Sequence, residues 1–236
     1  MQNTSELYQD IIAGPHTKEV RLTIGDPGAD SVYDESSLVS MKTGIQLFAD
    51  DEVTPGSCVS GEIDVRMLKP IGVVPRHARL VPYVRVCNAT HASEWLQKGV
   101  YYLDTRWVDT DVSGLEYLVM HGFDAMLKAE QDYPVSSLQW PATDIDVVRE
   151  IAAAMDVPVD ARTFQYINKA YSISWPSEYS CREALSYIAS MYAGCFVMSD
   201  LGELRFIPFY GIPKETRYLV TQSRQPITFG GVRILV

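Results

Sequence analysis

The spacing of apolar residues changes period part-way along this 236-residue chain, and that change limits what the chain can fold into. In "VSGEIDVRML", Val59, Ile63, Val65 and Met67 fall on one side of an extended strand, and Ser60, Glu62, Asp64 and Arg66 on the other. The segments "KEVRLTI", "RLVPYVRVC", "GVYYLDTRWV" and "GLEYLVMHG" continue the strand mode. Turn clusters such as "GDPGAD" and the polar connector Asp109–Ser113 separate them. This pattern predicts successive antiparallel strands, as a meander or barrel, to about residue 122. Pro82 has no N–H to donate, so its strand is expected at an edge or a bulge.

The period then lengthens. "FDAMLKAEQ" (Phe123 to Gln131) is a short helix candidate ahead of Tyr133-Pro134. In "WPATDIDVVREIAAAMDVPVD", Thr143 can cap a helix whose first turn carries Asp144 and Asp146, where the helix dipole favours negative charge. Ile145, Val148, Ile151, Ala152 and Met155 line its apolar face, and Pro158 stops it. Ser180 with Glu183 three residues later is a capping box for a helix bearing Leu185, Ile188, Ala189 and Tyr192. Gly194 can end that helix in a left-handed conformation. "CFVMSDLGELRFIPF" then predicts a β-hairpin around Asp200-Leu201-Gly202. The expected division is a β-rich domain over 1–122, an α+β helix–hairpin module over 123–209, and strands over 210–236 that begin or complete a second barrel or return to the first.

Twenty basic against thirty acidic residues leave a net charge of −10. Such a surface repels phosphate backbones, so sequence-reading of nucleic acid is not expected, whereas an acidic wall along which DNA slides is compatible with it. No apolar run reaches the roughly 18–20 residues of a membrane span. The opening MQNTSELYQDIIAG lacks the basic and apolar regions of a secretory signal, so a soluble protein made in the cytoplasm is expected. Cys58, Cys87, Cys181 and Cys195 show no C-x-x-C pairing, and buried small hydrophobes are the simplest reading of them.

Chemistry has little to stand on. His16, His77, His91 and His121 are dispersed, with no zinc-binding or triad spacing. Glu62 and Asp64 share a strand face and could resemble a glycosidase pair, but a solvated face has the same pattern. No catalytic, cofactor or metal residue is assigned. The aromatics say more: Trp95, Tyr101, Tyr102 and Trp107 crowd one stretch, and the adjacent tyrosines must face opposite sides of their strand. They form a candidate assembly surface, with a carbohydrate platform as the alternative.

The order of elements resembles a known family. The phrases "HGFDAMLKAEQDYP", "ATDIDVVREIAAAM" and "YSCREALSYIASMYAGCFVMSDLGELRF", with "GSCVSGEIDVRMLKP" and "SEWLQKGVYYLDTR", are similar to baseplate-hub or tail-associated proteins at the tail tip of tailed phages and prophages. The likeness runs from about Val20 to about Phe209, with "SDLGELRF" its most specific part. It implies an α+β fold of mainly antiparallel, β-barrel-type tube domains with an inserted helix and helix–β-hairpin module. It also implies a homotrimeric ring below the tail tube, contacting tube or distal tail proteins and the tape-measure protein, with DNA passing the lumen. The implied location is the virion tail, after synthesis in the bacterial cytoplasm, and no enzymatic activity is implied. A receptor- or carbohydrate-binding module of a phage tail is the alternative function.

Overall fold

A computed structural model describes residues 4–25, 30–47, 54–70 and 73–210, together with the strand pair at 228–229 and 232–233. Helix α1 (Glu6–Ile12), capped by Ser5, leads into β1 (Thr17–Ile24), β2 (Ser31–Asp34) and β3 (Leu38–Gly44). Then follow β4 (Glu62–Leu68), β5 (Arg79–Cys87), the two-residue β6 (Leu96–Gln97), β7 (Tyr101–Thr110) and β8 (Glu116–Asp124). These strands form one eight-stranded sheet in the order β2-β1-β5-β7-β8-β4-β3, with β6 attached to β5. Its pairings are antiparallel throughout.

The sheet departs from a meander. β5 pairs with β1 along eight residues, from Thr17↔Cys87 to Ile24↔Leu80, and β4 pairs with β8 from Glu62↔Phe123 to Leu68↔Tyr117. Pro82 therefore lies in an interior strand, contrary to the edge expected for it. It is tolerated because it sits where β7 has already left β5 and β6 has not yet joined. There its carbonyl accepts from Lys98 N at 2.8 Å.

The two outer strands, β2 and β3, are consecutive in the chain and joined by Glu35-Ser36-Ser37. Four Cα steps of about 3.8 Å bring Asp34 within about 15 Å of Leu38. A flat sheet with six inter-strand gaps of about 4.8 Å would hold them about 29 Å apart. The sheet is therefore curled round. Its interior is filled from every strand on the path, by Leu22, Tyr33, Met41, Val65, Leu80, Leu103 and Met120 among others. The turn is fixed by Asp34, whose carboxylate accepts from Ser36 N at 3.0 Å and whose carbonyl accepts from Ser37 N at 3.0 Å. Among the described residues no ladder joins β2 to β3, so the expected barrel is found as a curled, unclosed sheet.

The second half packs on a separate core. Asp124 caps a 3-10 helix at Ala125–Glu130, shorter than the helix expected from Phe123 because Phe123 and Asp124 still belong to β8. The strand pair β9 (Ala142–Thr143) and β10 (Ser172–Ile173) flanks α2 (Asp144–Ala154), whose cap Thr143 accepts from Asp146 N at 3.2 Å. A second 3-10 helix, Ala161–Gln165, precedes α3 (Cys181–Met191), where the Ser180–Glu183 capping box is complete. The hairpin of β11 (Gly194–Met198) and β12 (Leu204–Pro208) follows in the expected register, with Gly202 at φ +80° in its turn. Val148, Ile151, Leu185, Ile188, Phe196 and Phe206 are the centre of this core.

Two details differ from expectation. Ala193, at φ +46°, takes the left-handed position after α3, and Gly194 opens β11. A glycine is required at 194 for space: a Cβ there would overlap the Phe206 ring and the Ile207 carbonyl oxygen. The segment before β4 also crosses to the second core, with Gly56 N donating to Gly194 O at 2.8 Å and Phe196 N to Ser57 O at 3.1 Å. Strands β13 (Thr228–Phe229) and β14 (Val232–Arg233) pair with each other. Most of the span 210–236, and with it the expected return to the first sheet, lies outside the described residues.

Candidate assembly surface

The four aromatics singled out in the sequence occupy different environments. Tyr101 is 1% exposed and packs inside the curled sheet, opposite Leu80. Tyr102 points the other way, as adjacency on a strand requires, and is half-buried beneath Lys128 Nζ, 4.7 Å from its ring centroid. Trp95 precedes β6 and lies with the guanidinium groups of Arg21 and Arg85 each 4.5 Å from its ring. Arg85 is itself held by Glu19 at 2.6 Å. Such stacking satisfies the ring within the chain. Trp107 alone of the four is exposed, at 53%.

Trp107 sits on the stretch of β7 that leaves the body of the sheet. β7 pairs with β5 only through Tyr101 and Tyr102, and the last backbone bond on that side runs from Leu103 N to Ala78 O at 2.9 Å. β5 cannot follow it backwards as a strand, because Pro75 precedes it and His77 takes φ +57°. From Thr105 to Thr110 β7 is paired on one side only, to β8, after a bulge between Leu103 and Thr105. Two clefts open along this parting. One, of about 320 Å³, lies among Tyr102, Leu103, Phe123, Asp124, Leu127 and Lys128. The other, of about 410 Å³, lies among Arg76, His77, Asp104, Thr105 and Arg106.

Several titratable groups are engaged structurally. His121 Nδ1 meets Asp64 Oδ1 at 2.8 Å across the β8–β4 pairing, and its ring stands edge-on to Phe123. Asp64, one half of the suspected acid pair, is thus occupied by His121. Asp124 is buried and accepts from Gly61 N at 2.7 Å and Met126 N at 2.9 Å; burial still pushes its carboxyl up to about 6. Asp160 is held by Arg162, whose guanidinium keeps its carboxyl below the usual carboxylate range. The four cysteines are buried and free, and burial pushes the Cys58 thiol up to about 12. Among the described residues no three His, Cys, Asp or Glu side chains converge as a metal site would require.

Arg182 is a residue that sequence reading missed. From the first turn of α3 its guanidinium donates to the Cys58 carbonyl, to Ser60 Oγ at 3.2 Å and to Met126 O at 3.0 Å, and it pairs with Glu130 at 2.8 Å. It therefore joins the helical module to the approach to β4 and to the 3-10 helix after β8. An arginine in a helix's first turn ordinarily reads as a solvated charge, so no sequence signal marked it.

No protein-family model matches the sequence, and no curated protein matches it. Solved structures do match. The 43 kDa tail protein of prophage MuSo2 from Shewanella oneidensis superposes with a TM-score of 0.56 at 13% identity, over 86% of this chain and 59% of that one. A tail protein from Neisseria meningitidis gives 0.49 at 13% identity, over 89% and 53%. A prophage tail protein from Listeria monocytogenes gives 0.44 at 8% identity, over 86% and 55%. The chain thus shares the fold of the Shewanella tail protein and spans little more than half the length of these neighbours.

Proposed function

We propose that the chain is a structural component of a phage tail, the hub at the tail tip. In this reading it assembles as a homotrimeric ring below the tail tube, touching tube or distal tail proteins and the tape-measure protein. The observation that carries the proposal is the fold shared with the Shewanella prophage tail protein over 86% of this chain. The curled, mainly antiparallel sheet supports it, since such a sheet suits the wall of a tube. The net charge of −10 supports a lumen that DNA crosses without adhering. The helix–hairpin module is then a rigid docking element with no bond chemistry assigned to it. Affinity-labelled protein in purified phage particles, viewed by electron microscopy, tests the reading: label is expected at the tail tip, and label on heads or absent from particles would refute it.

A further inference from the structure

We infer that the outer edge of β7, from Thr105 to Thr110, is a docking strand for an extended, carboxylate-rich segment of a partner protein, which adds to the sheet by β-augmentation. The backbone carries the first part of the argument. Asp111 N donates to Leu115 O at 3.0 Å, and from that pair the alternation of an antiparallel ladder directs the N–H groups of Trp107 and Asp109 to β8. Those of Arg106, Val108 and Thr110 point away from β8, where no strand pairs with them among the described residues. A row of outward donors and acceptors of this kind is a template for another chain.

The two outermost strands of the sheet, β2 and β3, have blunted edges. β2 has only four residues, and β3 carries Lys42 and an irregular register between Leu38 and Ser40. The β7 edge instead presents exposed Trp107 and Val108, at 53% and 46%. Its one acid beyond Asp104, Asp109, is already paired with Arg66 at 2.8 Å.

Charge selects the occupant. The two clefts share His77, Leu103 and Asp104, so they run on from one another along this parting of the sheet. Their walls carry Arg76, Arg106 and Lys128, with His77, against Asp104 on the rim and Asp124 on the floor. No ion pair among the described residues includes Arg76, Arg106 or Lys128. One guanidinium nitrogen of Arg106 is shielded from solvent without an acceptor. This cationic strip stands on a protein of net charge −10. A second copy of β7 would bring another Arg106 to the same strip, and β3 would bring Lys42. A strand alternating carboxylates with apolar residues meets Arg106 with one set of side chains and Trp107 with the other.

The inference concerns a single chain and does not depend on the ring. Fluorescence anisotropy of the full chain with a labelled ten-residue peptide alternating Glu and Val tests it at low salt. The matching Lys–Val peptide and two variants serve as comparisons. Binding of the Glu–Val peptide is expected at least tenfold tighter than of the Lys–Val peptide, and at least tenfold weaker in Arg106→Glu. Val108→Pro, which removes an outward N–H without touching the β8 ladder, is expected to abolish it. Circular dichroism verifies the fold of each variant; if Val108→Pro misfolds, Arg106→Glu and the Lys–Val peptide decide alone. Equal affinity for the two peptides, no binding of the Glu–Val peptide, or self-association through this edge in light scattering would overturn the inference.

Discussion

Ala193 and Gly194 stand side by side with opposite requirements. Ala193 holds φ +46°, where a side chain is strained, so Ala193→Gly should raise stability by up to about 1 kcal/mol. At Gly194 the constraint is space, and Gly194→Ala should lower stability by about 1–3 kcal/mol as Phe206 is pushed aside. Urea unfolding of the two variants checks the opposed signs. Asp124 gives a pH signature. Its folded carboxyl sits at about 6 against an ordinary 3.8, so the folded state holds a proton that the unfolded chain releases between those values. The stabilisation this contributes is complete below pH about 4 and is lost as pH rises through about 6. Asp124→Asn removes that loss. The stability of the native protein relative to the variant should therefore fall by about 2–3 kcal/mol from pH 4 to pH 7 in parallel urea titrations.

Among the elements, α3 has the most completely specified start. Ser180 Oγ accepts from Glu183 N at 3.2 Å, and Glu183 accepts in return from Ser180 N at 2.7 Å. Ser180→Ala should cost about 1 kcal/mol, seen as a lower denaturation midpoint with an unchanged urea dependence. This box, the Thr143 cap and the β11–β12 hairpin were legible because each is written in residues a few positions apart. The sheet order was not. The long-range partner of β1 lies beyond three intervening strands, in β5, and alternation shows which face of a strand is apolar without naming its neighbour. The candidate surface was legible only in part. Trp107 is exposed, but the same composition placed Tyr101 in the core and Trp95 between two arginines, because burial depends on pairings remote in sequence. Arg76 and Arg106 gave no signal, since the parting of β7 from β5 is what gathers them.

At the scale of the whole molecule, the described residues form two hydrophobic cores, tied to each other by backbone and side-chain hydrogen bonds. Arg182 is one such tie, reaching the Cys58 and Met126 carbonyls and Glu130. Arg182→Met leaves those buried acceptors without their donor. The single calorimetric transition expected of the native chain should then separate into two, the helical module melting first. The link between β2 and β3 acts at the same scale. Three residues span from one rim of the curled sheet to the other, so this short tether fixes the circumference much as a buckle sets the girth of a belt. Each residue added between Asp34 and Leu38 would slacken that girth by about 3.5 Å. The volume available to the enclosed core would then be a property of loop length, adjustable without altering any strand.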